Sequence, residues 1–161
     1  MSALTAASAI EQRLRPGDLG ANEFFGETSA ISGDTLVVGA SGADGNKGAV
    51  YVFKKSGGAS LEQQRLTATD ANAELRFAEA VAISGNTLVV GAPGDNNFSG
   101  AAYVFVRNGA VWSQQQKLVL ANAPAFAFFG RSVAVVHRSL ARHFAAGLSR
   151  LLCVDQSKGL S

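Results

Sequence analysis

The stretch AISGDTLVVGA, Ala30 to Ala40, returns almost unchanged as AISGNTLVVGA from Ala82 to Ala92. Ile31 and Ile83 lie 52 positions apart, and the same offset links Phe25, Phe77 and Phe129. It also links Gln12, Gln64 and Gln116, then Leu14, Leu66 and Leu118, and it pairs Tyr51 with Tyr103 and Phe53 with Phe105. One register holds without insertion from about Ser8 to Val135. A period of about 50 residues belongs to stacked or radially arranged units, each burying an apolar face on its neighbour.

Each unit reads as four short strands. The first carries ETSAIS or EAVAIS, and Ser32–Thr35 or Ser84–Thr87 makes the turn into TLVVGA. Gly at the first central position of that turn suits a type II′ hairpin, because that site needs a positive φ. A Gly-rich loop leads to AVYVFKK or AAYVFVR, and LEQQRL or WSQQQKL forms the fourth strand. The second and third strands are apolar on successive residues, so both their faces must be covered. The fourth is rich in Gln, Glu and Arg and is half exposed. A sheet with a buried middle and a wet outer strand is the pattern of a propeller blade. A two-sheet sandwich or a solenoid is the competing architecture, but a sandwich leaves one face of every strand polar. The expected fold is all-β: a partial β-propeller of four-stranded antiparallel blades.

Phe128–Gly130 (FFG), Val89–Pro93 (VVGAP) and Gly100–Phe105 (GAAYVF) together resemble FG-GAP repeats, the blades of the propeller at the head of integrin α chains and of many bacterial surface proteins. The ending WSQQQKL is similar to the bacterial type. Two positions depart from the motif: Phe77-Ala78 stands for Phe-Gly, and Ala40-Ser41 for Ala-Pro. The resemblance implies a protein-binding or cell-surface adhesion module, not an enzyme, in an extracellular or cell-surface setting. The start, MSALTAASAIEQRL, lacks the order of a secretory signal and offers no export route. The implied partners are another protein, or further copies of the chain meeting through exposed blade faces.

The register divides the chain. Residues 1–7 are an extension, and 8–27 hold the outer strand of a preceding blade and a linker. Residues 28–76 and 77–128 are the two blades, and 129–135 begin a third. The next turn is due at positions 136–139, where Val136, His137, Arg138 and Ser139 stand instead. Residues 136–161 are a divergent basic tail. Leu140, Phe144, Leu148 and Leu151 fall at helical spacing and predict a short C-terminal helix, weakened by Gly147. An open stack of blades exposes apolar faces, so a fragment, an assembling subunit and a truncated or frame-shifted product are all expected readings.

The formal net charge is +2. Basic residues are scattered and do not interleave with aromatics, so nucleic acid is not implied. No apolar run reaches the roughly 18 residues that span a bilayer. Cys153 is the only cysteine and reads as a small hydrophobe. Both histidines, His137 and His143, lie in the tail, so the repeats carry no histidine base. No cofactor is implied. Asp95, Asn97 and Ser99 before Gly100 match the start of a calcium loop, but no closing carboxylate follows. Repeat one places Ala43, Gly45 and Lys47 there, so a solvated loop is the competing reading. Asp34 and Asn86 read as turn residues. Asp44, Asp70 and Asp95 are loop carboxylates with no evident partner, and Trp112 reads as inter-blade packing.

Overall fold

A computed structural model describes residues 12–136 and the backbone of 151–155. Blade 1 is a four-stranded antiparallel sheet of β1 (Phe25–Ser32), β2 (Thr35–Ala40), β3 (Ala49–Ser56) and β4 (Ala59–Leu66), in that order. Blade 2 repeats it with β5 (Ala80–Ser84), β6 (Thr87–Ala92), β7 (Ala101–Asn108) and β8 (Val111–Val119). The register pairs Ser32 with Thr35 and Ser84 with Thr87. Gly33 and Gly85 have φ of 58° and 56°, whereas Asp34 and Asn86 are not left-handed, the pattern of a type II′ turn.

The main core lies between the blades. Val37, Val50, Val52 and Leu66 of blade 1 meet Leu88, Val90, Tyr103 and Phe105 of blade 2. Phe77 is fully buried there, edge-on to Tyr103 at 5.5 Å and Phe105 at 5.9 Å. Successive residues of β2 and β3 are buried because alternate side chains face different neighbours. Trp112 also packs in this core, only 2% exposed.

A glutamine fastens each outer strand to the next. Gln64 Nε2 donates to the Trp112 carbonyl at 2.9 Å, and its Oε1 accepts from the Trp112 amide at 2.8 Å. Gln12 treats Ser60 the same way, at 3.0 and 2.7 Å. Nearer the axis, Thr28 Oγ1 donates to the Ala78 carbonyl at 2.9 Å, and the Gly85 amide donates to Ser32 Oγ at 3.0 Å.

A further strand, β9 (Ser132–Val136), stands 52 positions after β5. Phe129, Val133 and Val135 pack on Val89, Ala102 and Val104 of blade 2. The partner of β9 is β10 (Leu151–Asp155), which runs parallel to it, Leu151 opposite Ser132. A blade's second strand is antiparallel, so the departure of the sequence from the repeat is also a departure of topology. A parallel pair needs a connection of roughly a dozen residues or more, in place of a four-residue turn. The predicted helical positions 140, 144 and 148 lie outside the described residues. Leu151, the last of that series, is in a strand.

Candidate functional site

The linkers between blades and the loops between second and third strands gather on one face. The stretches Ala43–Asn46 and Asp95–Phe98 are single left-handed turns: Asp44, Gly45 and Asn46 have φ of 52°, 71° and 67°, and Asn96, Asn97 and Phe98 have 45°, 53° and 61°. The linker before blade 2 is stitched to both. The Arg76 amide donates to the Asn46 carbonyl at 3.0 Å, and the Gly94 amide to the Leu75 carbonyl at 3.2 Å. Gly48 and Gly100 allow this close approach: a Cβ would stand 2.0 Å from the Phe77 oxygen at the first and 2.1 Å from the Phe129 oxygen at the second. The Phe-Gly step itself has a positive φ in every copy, 91° at Gly26 and 84° at Gly130, and Ala78 keeps it at 74° despite its methyl.

Between the loops lies a cleft of about 300 Å³ lined by Phe24, Glu27, Ser41, Asn46, Glu74, Arg76 and Phe98. Ser41 Oγ donates to Glu27 at 3.2 Å. Arg76 Nε lies 3.1 Å from Glu79 Oε2, out of line for a hydrogen bond, so the pair is held by charge alone. Beside the cleft Phe98 stacks on Phe126 at 5.7 Å with 9° between planes, and Phe128 leans on both at 5.8 and 6.2 Å. Phe24 and Phe126 are 59% and 65% exposed, with φ of 55° and 62°. Left-handed backbone at a bulky residue costs roughly 1–2 kcal/mol. The sequence showed Phe128 as part of a motif, but the ring cluster needs two segments, the loop of Phe98 and the linker of Phe126 and Phe128, brought together.

Asp95 is not a lone loop carboxylate. It is 6% exposed, and Lys117 Nζ donates to its Oδ1 at 3.0 Å and to Asp70 Oδ2 at 2.6 Å. Tyr103 Oη donates to Asp70 Oδ1 at 2.9 Å. Burial raises the Tyr103 hydroxyl far above its ordinary range. Burial alone would raise Asp70 as well, but the bonds from Lys117 and Tyr103 outweigh it and hold the carboxyl low. Burial works downward on Lys117, and its bonds to Asp70 and Asp95 more than offset that. Blade 1 builds the same lock: Arg65 donates to Asp44 at 2.7 Å and to Tyr51 Oη at 3.2 Å, with Asp18 at 3.2 Å. The offset of 52 already matched Tyr51 with Tyr103, and it also matches Asp18 with Asp70 and Arg65 with Lys117; that was the signal for these partners.

The three calcium candidates have partners within the chain. Asp95, their one carboxylate, already holds a cation in Lys117, and Ser99 Oγ donates to the Pro124 carbonyl at 3.1 Å. Asn97 is in the left-handed turn, its carbonyl accepting from the Phe126 amide at 3.1 Å. Among the described residues no three His, Cys, Asp or Glu side chains converge as a metal site. No described helix is long and apolar enough to cross a membrane.

No curated protein matches the chain. A family model, that of the FG-GAP repeat, matches it twice, at residues 10–53 and 61–105. The second match begins inside β4, and the two end on the third strands of blades 1 and 2, at Phe53 and Phe105. Together the two cover more than half of the sequence, and with two four-stranded sheets in the expected register they place the chain in the FG-GAP repeat family.

Proposed function

We propose that the chain is a non-enzymatic recognition module whose loop face binds a protein partner, in the manner of a cell-surface adhesion propeller. The observation that carries this is the set of exposed rings on strained backbone. Phe24, Phe98, Phe126 and Phe128 all hold a positive φ, and two of them face solvent. Such outliers gather at ligand-contacting loops, where strain is kept for a purpose other than stability. Aromatic rings also dominate the buried centres of protein interfaces. The FG-GAP repeat belongs to propeller-type interaction modules, which agrees with this reading.

Photo-crosslinking tests it. A benzoylphenylalanine at position 126 forms adducts with one protein from a cell-surface extract, and Phe98→Ser removes them while the fold, followed by circular dichroism, is kept. Equal labelling from Val111, at the far end of the blade, overturns the assignment of the loop face.

A further inference from the structure

Glu74 and Phe98, which line the cleft, also line a neighbouring groove of about 440 Å³. Asn72, Asn96 and Asn97 supply its amides, and Gly94 leaves its backbone bare there. Each asparagine is pinned by its main chain. The carbonyl of Asn72 accepts from the Leu75 amide at 3.3 Å, that of Asn96 from the Ser99 amide at 3.1 Å, and that of Asn97 from the Phe126 amide at 3.1 Å. The side chains themselves are exposed, and among the described residues neither they nor Glu74 have a hydrogen-bond partner. Phe126, stacked on Phe98, holds that ring in place. Backbone preference accounts for only part of this lining. Asn tolerates a left-handed turn, yet blade 1 makes the same turn with Gly45 at the position of Asn97 and Asn46 at that of Phe98. The offset of 52 also puts Gly20 in place of Asn72, and Asp44, the counterpart of Asn96, is engaged by Arg65 at 2.7 Å. Both blades share one loop backbone, but only the second sets three amides around a ring.

We propose that this groove binds a neutral sugar unit of a glycan, at a site separate from the protein contact proposed for the exposed rings. A planar amide offers an acceptor and two donors, and a carboxylate offers two acceptors. Neighbouring hydroxyls of a sugar ring donate and accept at a spacing that one such planar group bridges. The C–H face of the same sugar is apolar and packs on an aromatic ring, the part Phe98 plays. A hollow of this size, with one apolar wall and a few convergent polar groups, suits a small ligand. No lysine or arginine is among its described lining, so a phosphate or sulfate finds no counter-charge there, and Glu74 repels one. Because the main chain that carries the amides is already fixed, a ligand has only side chains to order.

Nuclear magnetic resonance of the nitrogen-labelled 161-residue chain tests this, with a readout independent of the protein adduct at position 126. The probes are methyl glycosides of mannose, galactose, glucose and N-acetylglucosamine. One of them shifts the side-chain amides of Asn72, Asn96 and Asn97 and leaves that of Asn108, in the hairpin at the far end of blade 2, in place; the shifts saturate with a dissociation constant on the order of 1 mM. Asn97→Gly keeps the left-handed backbone and removes the amide, and Asn72→Ala removes an exposed one. Each weakens binding roughly three- to tenfold, the range of one or two lost hydrogen bonds, while Asn108→Ala leaves it unchanged. A released glycan ending in the bound sugar, compared with the same glycan on a peptide, identifies the source. Equal affinity assigns the saccharide alone, and tighter binding of the glycopeptide assigns a glycoprotein. Glycosides that shift none of these amides at roughly tenfold higher concentration overturn the proposal. So do shifts shared equally by Asn108, and so do Asn97→Gly and Asn72→Ala chains that bind like the native one.

Discussion

The joint between blades 1 and 2 and the far face of blade 2 are made from the same strands. In the joint, Leu66 and Ala68 are sealed and Gln64 holds the next outer strand at two points. On the far face their counterparts Leu118, Leu120 and Gln116 are half-buried or exposed. Side-chain chemistry hardly differs between the two surfaces, so the neighbour decides what each residue contributes. A blade is therefore not a unit of stability by itself. Its two-sided apolar strands are a requirement for company on both sides.

The largest expected break in this comparison is at the motif phenylalanines. Phe77→Ala empties a fully buried site between two rings and costs about 3–5 kcal/mol in urea unfolding. Phe25→Ala removes the equivalent ring from a half-buried site against Tyr51 and costs roughly half that. Equal losses would mean that the joint is no better packed than the end of the stack. Next come the glutamines. Gln64→Ala leaves the Trp112 amide and carbonyl without their partner in a part-buried place and costs about 1–3 kcal/mol. Gln116→Ala removes an exposed side chain and stays within about 0.5 kcal/mol in the single chain. A matching cost at Gln116 would show that its face is already occupied.

The fold was legible because its period is carried by residues that have no freedom. The Ser-Gly-Asx-Thr turn needs Gly at a positive φ, and β2 and β3 need apolar residues on both faces, so both repeat in the text. The partners of the loop carboxylates were not read from the sequence. Asp70 and Lys117 are 47 residues apart, and only the packing of one blade on the next brings them to 2.6 Å. The ring cluster was hidden for the same reason: Phe98, in a loop of blade 2, reaches Phe126 in the linker that follows the blade. The tail went astray at Leu151, since helical spacing and a short apolar strand are alike over so few residues.

Smaller is the effect expected at Phe24, where the proposed loop-face contact would be kept at a cost in stability. Asn tolerates a left-handed backbone, so Phe24→Asn gains about 0.5–1 kcal/mol of stability. The same change weakens partner binding, read as loss of the position-126 adduct. A variant both less stable and still binding would make Phe24 a packing residue like Phe25.

The smallest effect separates the two surfaces by charge alone. Asp70 ties the linker to blade 2, whereas its counterpart on the far face, Asn122, does not titrate. Within the lock, the bonds from Lys117 and Tyr103 overcome the burial that would raise Asp70, and its carboxyl titrates below the ordinary value of 3.8. A group depressed on folding stabilises the folded chain above its unfolded pKa, and that contribution is lost as pH falls through the folded one. Stability should therefore drop on acidification below about pH 4 more steeply in the native chain than in Asp70→Asn. The side chain of Asp70 is 46% exposed, so solvent screens the pair and the difference stays under about 1 kcal/mol. Lys117 and Tyr103 are shifted upward, so their share of the lock persists through neutral pH and is lost only in strong alkali. Parallel acid limbs in urea titrations of the two proteins would remove Asp70 from the joint's stability and leave the lock a geometric feature.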